Sequence, residues 1–185
     1  MVIESERLIL NEISFKDVEC IHELYTYPEV DKYNTLGIPK DLEETKKIIK
    51  YFIDDQTTNP RRSYHWKIVV KDTNEFIGLC GLILSNDLYK LGELYYKLIP
   101  PSWGKGYATE ASKNIVKFGF DKLKLHKIEA DVSTENNFSI RVLEKLGMTR
   151  EGLRRKLLPI RGEWKDSYHF AIVEDDFRGI NLKLS

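Results

Sequence analysis

Apolar residues along the chain recur at two spacings, and each change of spacing marks an element. Residues 6–13 (ERLILNEI) alternate as a short strand, and Val18, Ile21, Leu24 and Tyr25 then recur at helical intervals, predicting a helix near 15–26. Pro28 ends it, Gly37-Ile38-Pro39 marks a loop, and Asp41 can cap a second helix with Leu42, Thr45, Ile49 and Phe52 on one face. From Tyr64 the period becomes two: Tyr64, Trp66, Ile68 and Val70 alternate with His65, Lys67, Val69 and Lys71. The turn Asp72-Thr73-Asn74 leads to Phe76–Leu84, and Asn86-Asp87 is a turn signal before Leu91–Ile99, so three antiparallel strands are expected.

Pro100-Pro101 ends the third of these, because it offers no backbone donors. A helix from Gly106 follows, with Ala108, Ala111, Ile115 and Phe118 on one face, and then a strand Lys127–Ser133. Asn136 can cap a short helix to Leu146, closed by Gly147, and two strands near Thr149–Leu158 and Trp164–Val173 are joined through Ile160-Arg161-Gly162. The tail from Glu174 is expected to be loosely held. The order β-αα-βββ-α-β-α-ββ predicts an α+β domain spanning residues 1–185. Its sheet is mostly antiparallel and seven-stranded, has helices on both faces, and contains one parallel pair made by the strand–helix–strand crossover.

Composition narrows the function. The 185 residues carry 29 Lys+Arg against 29 Asp+Glu, so the basic excess that phosphate neutralisation requires is missing and no nucleic-acid partner is expected. No apolar run reaches the ~18–20 residues of a membrane span, and the start lacks the pattern of a secretory signal, so the expectation is a cytoplasmic protein with no membrane partner. Cys20 and Cys80 are too few for a disulfide framework or a zinc site, and they read as core thiols; no metal is expected. The charge is nevertheless uneven: residues 1–60 carry 7 basic against 13 acidic side chains, and residues 101–165 carry 14 against 8. Such swings arise on solvated faces, or they mark a polyanionic cofactor on one side and a cationic acceptor on the other, the latter met by Glu29, Asp31, Asp41, Glu43 and Glu44.

The sharpest chemical feature is the loop Pro101-Ser102-Trp103-Gly104-Lys105-Gly106-Tyr107-Ala108-Thr109, which turns from a strand end into a helix. Two glycines allow close approach of a ligand, and successive N–H groups at a helix start would form a cradle for a diphosphate, the other reading of the loop being an ordinary helix cap. The pattern is neither a P-loop nor the three-glycine dinucleotide fingerprint. His22, His65, His126 and His169 show no catalytic or metal spacing and read as structural, and Arg154-Arg155-Lys156 reads as a solvated strand end.

Some 30 residues after this loop comes Asn136-Asn137-Phe138-Ser139, ending in Glu144-Lys145-Leu146-Gly147, with Glu151-Gly152 beyond. Together these segments resemble the GNAT superfamily of N-acetyltransferases, in its RimJ/RimL-like branch. The resemblance implies acetyl-CoA as cofactor, with its pyrophosphate on the segment Trp103, Gly104, Lys105, Gly106, Tyr107, Ala108 and Thr109, where Trp103 replaces the usual Arg or Gln. It implies a splay between the fourth and fifth strands, with the pantetheine on main-chain groups of Leu98 and Ile99; Pro100-Pro101 is the expected cause of the lapse in pairing. Asn136 and Ser139 would border the cofactor. The superfamily's usual tyrosine acid falls at Leu143, so Ser139 is the replacement suggested by the branch, its other reading being support of the helix start. Glu93 is the candidate base, its other reading being a strand carboxylate paired with Lys97. Tyr33, Trp66 and Glu93 are the candidate acceptor-binding residues, although the aromatic set Tyr25, Tyr27, Tyr33, Tyr64 and Trp66 is mostly core in the simpler reading. The expected acceptor is a protein N-terminal α-amine of the ribosomal-protein type. A polyamine, an aminoglycoside or a silent acyl-CoA-binding role remain alternatives, in a monomer or homodimer.

Overall fold

A computed structural model describes residues 1–85 and 88–182, the last three by main chain alone; the Asn86-Asp87 turn lies outside the described residues. Eight strands form one sheet in the order β1-β2-β3-β4-β5-β6-β8-β7. They are β1 (Val2–Glu4), β2 (Leu8–Glu12), β3 (Ser63–Val70), β4 (Phe76–Leu84), β5 (Leu91–Leu98), β6 (Lys127–Ser133), β7 (Thr149–Ile160) and β8 (Glu163–Val173). All neighbours are antiparallel except β5 and β6. The eighth strand is β1, which pairs Ile3 with Leu10 of β2; three residues were too few to show a period in the sequence.

Helices α1 (Val18–Thr26) and α3 (Leu42–Asp54) cover one face, and α4 (Tyr107–Asp121) and α5 (Asn137–Lys145) the other. The strand alternation sorts two cores accordingly. Leu10, Trp66, Ile68, Leu82, Leu94, Ile115 and Ile128 fill the α4 side, and Ile13, Ile21, Leu24, Tyr25, Ile49 and Leu79 fill the α1–α3 side. Pro28 does end α1, and it also opens the short helix α2 (Pro28–Asp31). The segment after Val173 is not loosely held as expected: Glu174–Leu182 forms α6, whose Phe177 stacks on Phe120 with centroids 5.0 Å apart. Acidic residues Glu174, Asp175 and Asp176 suit its first turn. No helix among the described residues is long and apolar enough to cross a membrane.

The parallel pair positions the site. Its register runs only through Leu91↔Lys127, Gly92↔Ile128 and Glu93↔Glu129, although β5 continues to Leu98 and β6 to Ser133. The splay therefore opens after Glu93, five residues before the point expected from Pro100-Pro101. The prolines end β5 in a single 3-10 turn but do not cause the gap. A bulge at Ile68/Val69 interrupts the β3–β4 ladder, whereas β5 stays paired with β4 from Gly92 to Leu98.

His65 shows how tightly the α1–α3 side packs. Its ring stacks on Phe52 at 3.9 Å, its Nδ1 lies 2.6 Å from the Tyr95 hydroxyl, and burial followed by the Arg61 charge lowers its pKa to about 4. The unfolded chain takes up this proton near pH 6.5 and the folded chain only near pH 4, so stability falls as pH drops through that interval. Urea midpoints should decline from pH 6.5 to 4 in the wild type, and the decline should be shallower in His65→Phe. Parallel pH profiles would show that the buried imidazole is not their source.

Candidate active site

Between β5 and α4 the chain makes the 3-10 turn Pro100–Ser102 and then the loop 103–106. Gly104 and Gly106 have φ of 73° and 82°, a region that side chains with a Cβ enter at a cost of about 1–2 kcal/mol. A Cβ added at Gly104 would meet nothing within 4 Å, and one at Gly106 would meet only Arg7 Nη2 at 3.4 Å, so the loop's open side is free for a ligand. The first hydrogen bond of α4 runs from Glu110 N–H to the Gly106 carbonyl, which leaves the N–H groups of residues 107–109 as the unpaired donors of the first turn. The cradle inferred from the sequence is thus present in geometry and polarity.

A brace that the sequence did not reveal holds it. Arg7, just before β2, donates Nε to Glu110 Oε2 at 2.7 Å and Nη1 to the Lys105 carbonyl at 3.0 Å, and its guanidinium lies 4.7 Å over the Tyr107 ring. Glu110 Oε1 also accepts from Ser5 Oγ and Arg7 N–H. Burial alone would raise the Glu110 pKa, but these hydrogen bonds and the Arg7 charge hold it below the usual carboxylate range. The partners lie about a hundred residues apart, which is why local spacing gave no sign of them.

From the cradle a cleft of about 670 Å³ runs along the β5–β6 gap toward α1 and α2. Gly104, Gly106, Tyr107, Ala108 and Thr109 line its first part, with Trp103 and Leu98; Lys105 and Ile99 do not reach it. The main chain at Leu98 and Ile99 is less free than expected. Ile99 N–H donates to Ile77 O at 2.9 Å, and the Leu98 carbonyl accepts from the Trp103 indole Nε1 at 2.7 Å. The tryptophan at the unusual position therefore covers an acceptor that the splay would otherwise expose.

Midway, α5 presents its first turn. The Asn136 side chain accepts Ser139 N–H at 3.1 Å and is the cap, so the Ser139 hydroxyl is not needed there; Asn136 and Ser139 both line the cleft. The Tyr96 hydroxyl donates to the Ser139 carbonyl at 3.3 Å, anchoring β5 to α5 across the gap. Leu143, where a tyrosine acid would sit, is 2% exposed and also lines the wall.

Beyond this point Glu93, Tyr95 and Lys97 share one face of β5 and line one arm of the cleft, Tyr95 and Lys97 on the side of Tyr25 in α1 and Glu93 on the side of Asp131 and Glu129 in β6. Burial, then the charges of Asp131 and Glu129, raise the Glu93 pKa, with Arg154 and His169 opposing. No ion pair joins Glu93 to Lys97: the Lys97 ammonium donates to Asn34 Oδ1 at 2.9 Å and lies 4.9 Å over the Tyr25 ring. Tyr33 lines this arm as expected, its hydroxyl donating to the Glu135 carbonyl at 3.1 Å. Trp66 does not. It is fully buried in the α4-side core, and the neighbour of opposite parity, His65, faces the cleft instead. Of the acidic residues expected to rim the groove only Glu29 lines it. Asp31 pairs with Arg161, Asp41 caps α3, Glu44 accepts Lys40 N–H, and Glu43 lies beside Lys46. Arg161 sits at the tip of the β7–β8 hairpin and so ties that hairpin to α2 at the end of the cleft.

Residues 7–149 match the family of acetyltransferase (GNAT) domains, and the chain belongs to it. An uncharacterised N-acetyltransferase, p20, of Bacillus licheniformis is 32% identical over 175 residues, 95% of this chain and 97% of that protein. The fold is shared with ribosomal-protein-S5-alanine acetyltransferase of Vibrio fischeri (TM-score 0.82, 22% identity, 96% of this chain and 98% of that one). It is shared equally with spermidine N-acetyltransferase of Vibrio cholerae, solved with CoA and spermine (TM-score 0.83, 22% identity, 94% and 99%). The chain is accordingly an acetyl-CoA-dependent N-acetyltransferase; its acceptor is a separate question.

If pantetheine pairs with the Leu98 main chain, the Trp103 indole must release that carbonyl first. Trp103→Phe keeps a ring and removes the donor, so acetyl-CoA should bind about two- to tenfold more tightly by calorimetry, the worth of one hydrogen bond no longer broken. Weaker binding by a folded Trp103→Phe variant would show that the indole supports the cofactor instead.

Proposed function

We propose that the protein moves the acetyl group of acetyl-CoA to a primary α-amine, that of a protein N-terminus. The observation that carries this reading is the continuity of one cleft. It joins the donor-rich start of α4, the gap beyond Glu93, the hydroxyl of Ser139 beside Tyr96 and the arm holding Glu93 and Lys97. In this reading the diphosphate rests on the main chain of 104–109. The amine lone pair attacks the thioester carbon; the C–N bond forms, the C–S bond breaks, the amine proton passes to Glu93, and Ser139 donates a hydrogen bond to the departing sulfur.

Three features support this reading. A thiol of pKa near ~8.5 leaves with no more help than a hydroxyl hydrogen bond, which makes the tyrosine absent at Leu143 dispensable. Glu93 is a carboxylate, raised by burial but still far weaker as a base than a polyamine nitrogen. An α-amine of pKa near ~8 is about a tenth neutral at pH 7, whereas an amine near ~10.4 needs about 4–5 kcal/mol to deprotonate. The engagement of Asp31, Asp41 and Glu44 by the protein itself removes most of the negative rim that would hold a polycation.

Initial rates on N-terminal peptides, spermidine and an aminoglycoside at pH 7 and 9 test this. Peptides should lead at pH 7 with a modest pH slope, and spermidine ahead at both pH values would overturn it. Ser139→Ala should lower kcat about 10- to 100-fold, the value of a hydrogen bond to developing charge, and leave acetyl-CoA affinity within about twofold. Glu93→Gln should lower the rate most at pH 7 and less at pH 9, where more of the amine is already neutral.

A further inference from the structure

The arm of the cleft holds a cation with no counter-ion. Lys97 has three donors, of which Asn34 Oδ1 takes one, and its remaining neighbour is the Tyr25 ring. Among the described residues no carboxylate lies within the 4.0 Å of an ion pair. Asp31 is the acid whose charge reaches Lys97, but its Oδ2 is held by Arg161 at 2.9 Å, and its Oδ1 is buried without a partner. Two cations therefore share one carboxylate. Burial depresses the Lys97 pKa to about 8, with Asp31 opposing, which is the signature of an ammonium short of compensation. Removing a charge from water without pairing it is costly, and an anion arriving from outside would lower that cost at Lys97.

The position fits an anion on the acceptor. Glu93 and Lys97 leave the same face of β5 with Cα atoms about 13 Å apart, a span filled by the two side chains and one amino-acid residue between them. A second cation in the same arm would meet like charge at short range.

We infer that Lys97, Asn34 and Tyr25 form a carboxylate subsite in the acceptor arm of the cleft, so that the preferred acceptor bears a carboxylate close to its amine. This rests on the acetyl-transfer reading; an acidic first residue would sharpen the protein N-terminal acceptor, and a free amino acid would replace it. The carboxylate has two sources, the α-carboxylate of a free amino acid or the side chain of an acidic first residue of a peptide, and Lys97 would pair with either.

The test separates the subsite from the reaction. With CoA present, N-acetylalanine (free α-carboxylate), the α-amide of N-acetylaspartate (side-chain carboxylate only) and neutral N-acetylalaninamide are titrated calorimetrically against wild type, Lys97→Gln and Lys97→Arg. At least one acid should bind about tenfold or more tightly than the amide. Lys97→Gln should bring the two within about twofold, and Lys97→Arg should keep the preference; the acid that wins names the source. Equal affinity of the amide and both acids for the wild type overturns the subsite whatever the turnover. Rates on alanine, an Asp-initiated peptide amide and an Ala-initiated peptide amide give the second readout. A selectivity ratio for the acidic acceptor that falls about tenfold in Lys97→Gln supports the subsite, and a uniform fall over all acceptors overturns it in favour of a general base or scaffold. If no amine is acetylated while the acid preference persists and disappears with Lys97→Gln, the transfer reading fails and the subsite stands. A stability measurement guards against misfolding. The charged Lys97 is unfavourable in the fold below its pKa of about 8, so Lys97→Met should melt above wild type at pH 7 and lose that lead between pH 8 and 10.5.

Discussion

Everything functional in this molecule depends on one lapse in main-chain pairing. After Glu93 and Glu129 the strands β5 and β6 stop exchanging hydrogen bonds, although both run on for several residues. Exposed polar main chain inside a fold must find partners, and here only some are supplied by the protein. The Trp103 indole covers the Leu98 carbonyl, and the Tyr96 hydroxyl spans the gap to α5. The rest of the gap is cleft. A sheet fully paired through β5 and β6 would leave the donors of α4 with no path to Glu93.

The lapse is held open by long-range contacts rather than by local sequence. Arg7 joins the start of β2 to Glu110 in α4 and to the Lys105 carbonyl of the glycine loop. Arg161 clamps the tip of the β7–β8 hairpin onto Asp31, and Tyr33 reaches the Glu135 carbonyl from the other side. Each clamp joins elements about a hundred residues or more apart. Their individual energies at an exposed surface are modest, and their collective effect is to fix where three elements end.

This division explains what was legible in the sequence. Elements with a clear period, such as Phe76–Leu84, Lys127–Ser133 and the helix from Tyr107, stand where the alternation puts them. The loop 103–109 was visible because glycines at positive φ leave a local trace, and Asn136 because a cap is read over three residues. Trp66 was misplaced by one step of parity: a tryptophan on an alternating strand is equally at home in the core, and only the packing of α4 decides. The position of the splay was misread because its cause is not the proline pair next to it but the divergence of two strands whose partners lie elsewhere in the chain. Strand β1 and helix α6 were missed for want of length and of apolar repeat.

Charge illustrates the same limit with a different consequence. The first 60 residues carry a clear acidic surplus, yet in the fold these carboxylates cap α3, pair with Arg161, Arg61 and Lys67, and mostly leave the cleft. A net balance along the chain says how many charges an element owns, not which of them remain uncompensated. What matters for recognition is a charge left without an opposite charge where a ligand arrives, and in the arm of this cleft Lys97 has an amide oxygen and a ring beside it and, among the described residues, no carboxylate at ion-pair distance. The acidic surplus of the first 60 residues therefore reaches the cleft as Glu29 alone, and the cation of the same arm, Lys97, is supplied by β5.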